Sequence, residues 1–301
     1  MYSDLTRVPT HLVPSNSLHE SEIYFRMTGG LGNQLFGLSE CYQLHKLTGK
    51  RVVIDFGHVD HVKEEQTSPF NFGYSWMRQV VYLSSDNTGT VPLKNLATDI
   101  ISSEDRFFTG WRPSLAVLEQ SSLFKRSVLP ANWSPLSKNI EEPFVGLHLR
   151  FGDYLHLPSL GGNISVDRAY VGQALNLLKS ELGLRFVKVF SDNREKSIEL
   201  CKPFSGFEFQ VLESREPILD LVDLSRADAI VASASTFSFW AAYFSKTNSV
   251  IFPSPFFPVN PLWEKELIDK SWTQIRRTNR SSRELRKIWN FIFRKENLDF
   301  D

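Results

Sequence analysis

Residues 22 to 56 restrict the fold of this chain more than any other stretch. Ile23 to Thr28 reads as a strand and Gly29 to Asn33 as a glycine turn. Gln34 to Leu47 reads as a helix stopped at Gly49, and Arg51 to Phe56 as a second strand. Strand, helix and strand at this spacing make a βαβ unit, whose two strands run parallel. The chain is therefore expected to be an α/β protein.

The second half repeats the alternation. Phe144 to Arg150 reads as a strand and Tyr170 to Leu182 as a helix, with Leu175, Leu178 and Leu182 at helical spacing. Arg185 to Phe190, Ala229 to Ala232 and Val250 to Phe252 read as strands, and Ile218 to Arg226 and Thr236 to Phe244 as helices. Two such sheets facing a cleft would form the GT-B arrangement, one of several open at this point. Residues 57 to 140 mix short apolar runs with Ser, Asn, Thr and Gly and give no clear order of elements. The first twenty or so residues, with Pro9 and Pro14 among polar neighbours, read as an arm.

Charge excludes one class of partner. Lys plus Arg and Asp plus Glu balance at 34 each over 301 residues, so no global field points to nucleic acid, and any anion site must be local. Cys41 and Cys201 are the only cysteines; they make no disulfide framework, and a reducing compartment is expected. The apolar run Ala229 to Phe244 is too short, and too interrupted by hydroxyl residues, to span a membrane.

Four constellations could carry chemistry. The first is Gly29-Gly30-Leu31-Gly32-Asn33-Gln34, where glycines admit close approach and the helix behind favours anions or polar groups. With Asp55 ending the next strand it begins a dinucleotide fingerprint, but Leu35 occupies the third glycine position. The second is Val145 to Tyr154. Gly146, His148 and Arg150 share one face of that strand, and Arg150 stands at its C-terminal end, where open α/β sheets bind ligands. An arginine fork suits a diphosphate; a structural pair with Asp153 is the alternative. The third is Ser191-Asp192-Asn193, a carboxylate suited to a guanine edge or ribose, or a plain helix cap. The fourth is the Ser233 to Ser238 hydroxyl run before a helix, a phosphate cradle or again a plain N-cap.

The stretches GGLGNQLFG, FFTGWR, VGLHLRFGDY, VFSDN and DLVDLSRADAIVASASTFSFWAAYF resemble, in order, the motifs of the inverting α-1,2-fucosyltransferases, from about Glu22 to Phe257. That resemblance implies a GT-B-like fold of two Rossmann-like α/β domains facing a cleft. It implies a GDP-fucose donor, a galactose-terminated glycan acceptor attacked through its 2-hydroxyl, inversion, and neither metal nor other cofactor. It places Arg150 on the β-phosphate, His148 on the nucleotide, Asp192 and Asp220 near guanine and ribose, and Ser235, Thr236 and Phe237 around the phosphates. Gly30 and Gly32 would line the donor side, and Asn33 would face the reacting sugar. The implied division is an arm (1–21), an acceptor-side domain (22–142), a GDP-sugar domain (143–260) and a basic helical tail (261–301). Phe151 stands where the family usually has a second arginine, and Ala234 where it has asparagine. Both departures bear on donor affinity.

In the mechanism this implies, Arg150 and the backbone at Ser235 to Phe237 stabilise the departing diphosphate. Asp153 is the candidate general base, being the acid tied to the arginine motif. His58-Val59-Asp60-His61 reads as a solvated loop or a metal site. The competing functions are a catalytically silent sugar-nucleotide or glycan-binding protein and, from Gly30, Gly32 and Asp55, a nicotinamide-dependent oxidoreductase. In the tail, residues 275–295 place Leu285, Ile288, Trp289 and Ile292 on one helical face flanked by Arg283, Arg286 and Lys287. Such a face suits peripheral contact with an anionic membrane, or packing on the domain with its charges solvated. A cytoplasmic placement is expected, with the Golgi an option only if an anchor has been removed.

Overall fold

The computed structural model describes residues 21–27, 29–55, 77–80, 91–92, 107–109, 142–152, 155, 165–213, 216–254, 256 and 267–277. The chain divides into two compact units, Met1–Trp133 and Ser134–Asp301, each with its own parallel sheet.

The first unit begins with the expected βαβ: β1 (Glu22–Arg26), α1 (Leu31–Thr48) and β2 (Arg51–Asp55), with β1 and β2 parallel. The helix starts three residues earlier than the sequence suggests. Gly30 takes the extended N-cap conformation, so Leu31, Gly32 and Asn33 already belong to the first helical turn. Three short strands follow: β3 (Met77–Val80), β4 (Val91–Pro92) and β5 (Phe107–Thr109). The sheet order is β3-β2-β1-β5-β4, all pairs parallel. The chain winds outward from β1 to β3 and then resumes on β1's other side. The glycine turn therefore leaves the C-terminal end of the strand where winding reverses.

The second unit holds β6 (Val145–Leu149), α2 (Arg168–Leu182), β7 (Phe186–Ser191), α3 (Arg194–Cys201), β8 (Glu208–Val211), α4 (Pro217–Ser225), β9 (Ala229–Val231), α5 (Thr236–Phe244), β10 (Val250–Ser254) and β11 (Thr273–Arg276). The expected elements lie within a residue or two of their places. The sequence reading lacks α3, β8 and β11. The two strands are short and half exposed, so neither shows the apolar run that marks a buried strand. Since β11 pairs with β10, the sheet continues past residue 260, and residues 273–276 are sheet rather than helical tail. The rest of the basic segment, 278–301, lies outside the described residues, as do the arm and the His58–His61 cluster.

All six strands are parallel, in the order β8-β7-β6-β9-β10-β11. Counted within the unit this is the doubly wound order 3-2-1-4-5-6, with the reversal between β6 and β9. A central strand covered by helices on both faces must be buried throughout, and every residue of β6 is. Its two faces do different work. Val145, Leu147 and Leu149 join Tyr170, Val171, Ala174, Leu175 and Leu178 of α2 in an apolar core. On the other face a Cβ at Gly146 would sit 2.6 Å from Leu224 Cδ1 and 2.9 Å from Ala227 Cβ, so glycine lets α4 lie against the strand. The Tyr170 hydroxyl is shared between the carbonyls of Ala232 at 2.8 Å and Ile251 at 3.1 Å, fastening α2 to the ends of β9 and β10. Cys41 and Cys201 are free and buried, and burial pushes the Cys201 thiol up to about 12.

Candidate active site

Register brings the polar groups together. Leu149 of β6 pairs with Ser191 of β7, so the next residues, Arg150 and Asp192, leave the sheet side by side. Arg150 Nη1 lies 2.9 Å from Asp192 Oδ2, and the other carboxylate oxygen accepts the Phe151 N–H at 2.9 Å. Asp192 is thus an aspartate paired with Arg150, a pairing that the sequence reading does not foresee. Each of its oxygens takes one bond within the protein. The resemblance implies a place near guanine or ribose; here the carboxylate grips the arginine and the turn that carries it. Gly152 makes the grip fit, because a Cβ there would meet Asp192 Oδ2 at 2.7 Å. Arg150 keeps 39% of its side-chain surface exposed, so the anchored guanidinium still faces solvent.

His148 precedes Arg150 on the same face and is buried between β6 and α5. Its Nδ1 lies 2.8 Å from Ser233 Oγ and 2.6 Å from Ser238 Oγ, and its ring stacks on Phe237 at 4.9 Å between centroids. Burial first, and then the Arg150 charge, hold its pKa down to about 3, so the folded imidazole is neutral at neutral pH.

The start of α5 is the N-cap that the structural reading of the serine run required. Ser235 Oγ accepts the Phe237 N–H at 3.2 Å, and Ser238 Oγ accepts the Ser233 N–H at 3.1 Å. The Ser233 and Ser238 hydroxyls turn inward to His148, which leaves half-buried Thr236 and Phe237 as the outward residues of the run. Sequence reasoning takes these two serines as part of a phosphate cradle and misses their role around histidine. The available signal is Ser238 itself, a hydroxyl inside the apolar helix run TFSFWAAYF.

Asp220 lies in the first turn of α4, which crosses back from β8 to β9 and so begins at the same carboxyl edge. His148, Arg150, Asp192, Asp220 and the start of α5 thus occupy one edge around the β6/β9 reversal. Asp153 lies outside the described residues. Phe151 is 5% exposed and packs in the core on the α2 face, opposite Arg150, and Ala234 is 2% exposed beneath α5.

Gly30, Gly32 and Asn33 belong to the first unit. Gly29 holds φ +76°, and a Cβ on it would strike Asn33 Nδ2 at 2.6 Å; nothing lies within 4 Å of a Cβ on Gly30, which is open on that side. Gln34 Nε2 donates to the Gly29 carbonyl at 2.9 Å, bracing the turn. The carboxylate that a nicotinamide site would need is not presented: Asp55 is fully buried and receives the Tyr24 hydroxyl. Among the described residues no three His, Cys, Asp or Glu side chains converge as a metal set, and no helix is long and apolar enough to cross a membrane.

Several known proteins are similar to this chain. A mouse galactoside 2-alpha-L-fucosyltransferase, Sec1, is 25% identical over 286 residues, which span 84% of this chain and 73% of the relative. A rabbit galactoside alpha-(1,2)-fucosyltransferase 1 is 32% identical over 111 residues, 36% of this chain and 30% of the relative. Among solved structures, the fucosyltransferase NodZ from Bradyrhizobium aligns over 74% of this chain and 94% of its own at 16% identity, with a TM-score of 0.49. The profile of Glycosyl transferase family 11 matches residues 126–276, from ahead of β6 to the end of β11 and so across the whole edge that holds Arg150 and His148. The chain belongs to that family.

Proposed function

We propose that this protein transfers L-fucose from GDP-fucose to the 2-hydroxyl of a galactoside, with inversion and without a metal. The observation that supports this most directly is the Arg150 guanidinium, clamped by Asp192 yet exposed at the carboxyl edge of β6, beside the winding reversal. A cation held there can neutralise the diphosphate as its charge grows. Because the clamp fixes it beforehand, little reorganisation is needed in the transition state. Neutral His148 adds a polar contact without adding charge. The family resemblance implies that Asn33 faces the reacting sugar; Asp153 is the candidate for the acceptor proton because it is the acid tied to the arginine motif.

A donor screen tests the proposal. GDP-fucose, GDP-mannose and UDP-galactose are incubated with the protein, with and without galactosides, and nucleotide release is measured. GDP release from GDP-fucose that depends on a galactoside is the expected result. Binding without turnover would identify a silent sugar-nucleotide protein, the reading that the Phe151 and Ala234 departures favour. Arg150→Ala should lower turnover about a hundredfold. Contact of the basic segment beyond β11, up to residue 295, with anionic membranes belongs to the same proposal on the strength of the basic sequence, and co-sedimentation with anionic vesicles tests it.

A further inference from the structure

The two serines around His148 have a consequence for the chemistry its ring can offer. Ser233 and Ser238 are fully buried, so their hydroxyl hydrogens must find acceptors within the protein. Four groups meet there: His148 Nδ1, Ser233 Oγ and Ser238 Oγ, the two oxygens being 3.2 Å apart, and the Ser233 N–H, which already points at Ser238 Oγ.

Hydrogen counting separates the two neutral forms of the ring. With the proton on Nδ1, the ring N–H and both hydroxyls are donors, and only the two serine oxygens can accept. Two hydroxyls cannot donate to each other at once, so one buried hydrogen is left without an acceptor. With the proton on Nε2, the Ser238 hydroxyl donates to Nδ1 at 2.6 Å, the Ser233 hydroxyl donates to Ser238 Oγ, and every hydrogen is placed. An orphaned buried hydroxyl disfavours the first arrangement by about tenfold or more. The stack on Phe237 holds the ring plane while this is decided.

We propose that Ser238, with Ser233 behind it, is a positioning residue that fixes His148 as the Nε2–H tautomer, so that the imidazole presents a hydrogen-bond donor to the Arg150 pocket. Among the described residues none bonds Nε2, and His148 as a whole is 7% exposed. The fitting ligand atom is an acceptor oxygen, such as a diphosphate oxygen or a sugar hydroxyl, lying beside the arginine. The same serines exclude His148 as a general base, because the nitrogen that could take a proton is the one buried against them. This inference rests on the donor-site reading above for its ligand, but not for its tautomer.

The test is a long-range ¹H–¹⁵N correlation on the full-length protein labelled at histidine, with His148 assigned by its loss in His148→Gln. The expected pattern is a pyrrole-like Nε2 and a pyridine-like Nδ1. The double variant Ser233→Ala/Ser238→Ala, which removes both hydroxyls that reach Nδ1, should shift that pattern toward the other tautomer and lower kcat/KM for the nucleotide-sugar about tenfold. Ser238→Ala alone, which leaves the Ser233 hydroxyl 2.8 Å from Nδ1, should keep the tautomer. A pyrrole-like Nδ1 in the unsubstituted protein overturns the proposal, and that measurement needs no variant to fold. An unchanged tautomer and unchanged turnover in Ser233→Ala/Ser238→Ala overturn it too. The expected tautomer in a protein that never turns over GDP-fucose would support the proposal and reject the donor reading instead.

Discussion

Asp192→Asn is the substitution that best separates the two accounts of this site. The amide keeps an oxygen where Oδ1 accepts the Phe151 N–H at 2.9 Å, so the turn after β6 stays closed. It replaces Oδ2, 2.9 Å from Arg150 Nη1, with an NH2 group, setting donor against donor. The ion pair is partly solvated, with side-chain exposures of 39% and 24%, so its loss should cost under about 1 kcal/mol of stability. That corresponds to a fall of at most about 2 to 4 °C in Tm. The effect on turnover should be far larger. A guanidinium displaced by about an ångström can cost up to a hundredfold in rate, so a loss of about ten- to a hundredfold in kcat is expected, just short of Arg150→Ala. KM for GDP-fucose should move much less. The assay is initial-rate GDP release at varied donor concentration, beside a thermal melt. If GDP affinity collapses while kcat holds, Asp192 is a direct nucleotide ligand, and the positioning argument is refuted. In a double variant with Arg150→Ala, Asp192→Asn should add almost nothing, because a residue that acts only through the arginine has nothing left to position.

Acid should reveal His148 in the stability of the fold. The folded ring has its pKa held near about 3, while the unfolded chain takes up a proton near the ordinary 6.5. Its contribution to stability is therefore complete above pH 6.5 and falls as pH drops from there toward about 3. Denaturant midpoints should decline below pH 6.5 more steeply in the unsubstituted protein than in His148→Gln; equal slopes would refute the assignment. Phe151→Arg, which restores the family's usual residue, should destabilise the protein by about 3 kcal/mol or more, because it puts a charge into the α2-facing core. Calorimetry should show no tighter GDP binding in that variant. A stable, tighter-binding Phe151→Arg would mean that position 151 can reach the Arg150 face.

The alternation of strands and helices is legible because apolar periodicity is a local property, and ten of the described elements can be read from short windows of sequence. The edge strands β8 and β11 cannot, since a half-exposed strand of four residues carries no periodic signal. Period two also puts Gly146, His148 and Arg150 on one face of β6 from the residue order alone, and the motif order carries the family. The partners of those residues are beyond its reach. Arg150 finds Asp192 forty-two positions away, and His148 finds Ser233 and Ser238 at separations of 85 and 90. Such pairings are set by the register of neighbouring strands and by which strand follows the reversal of winding, and neither is encoded in a local window. Position 151 makes the same point. By sequence its phenylalanine looks like a charge missing from the donor pocket; the pleat turns it to the other face, where it is part of the core. The residue types that can perform this chemistry are thus fixed along the chain, while packing decides which of them bind outward and which hold the others in place.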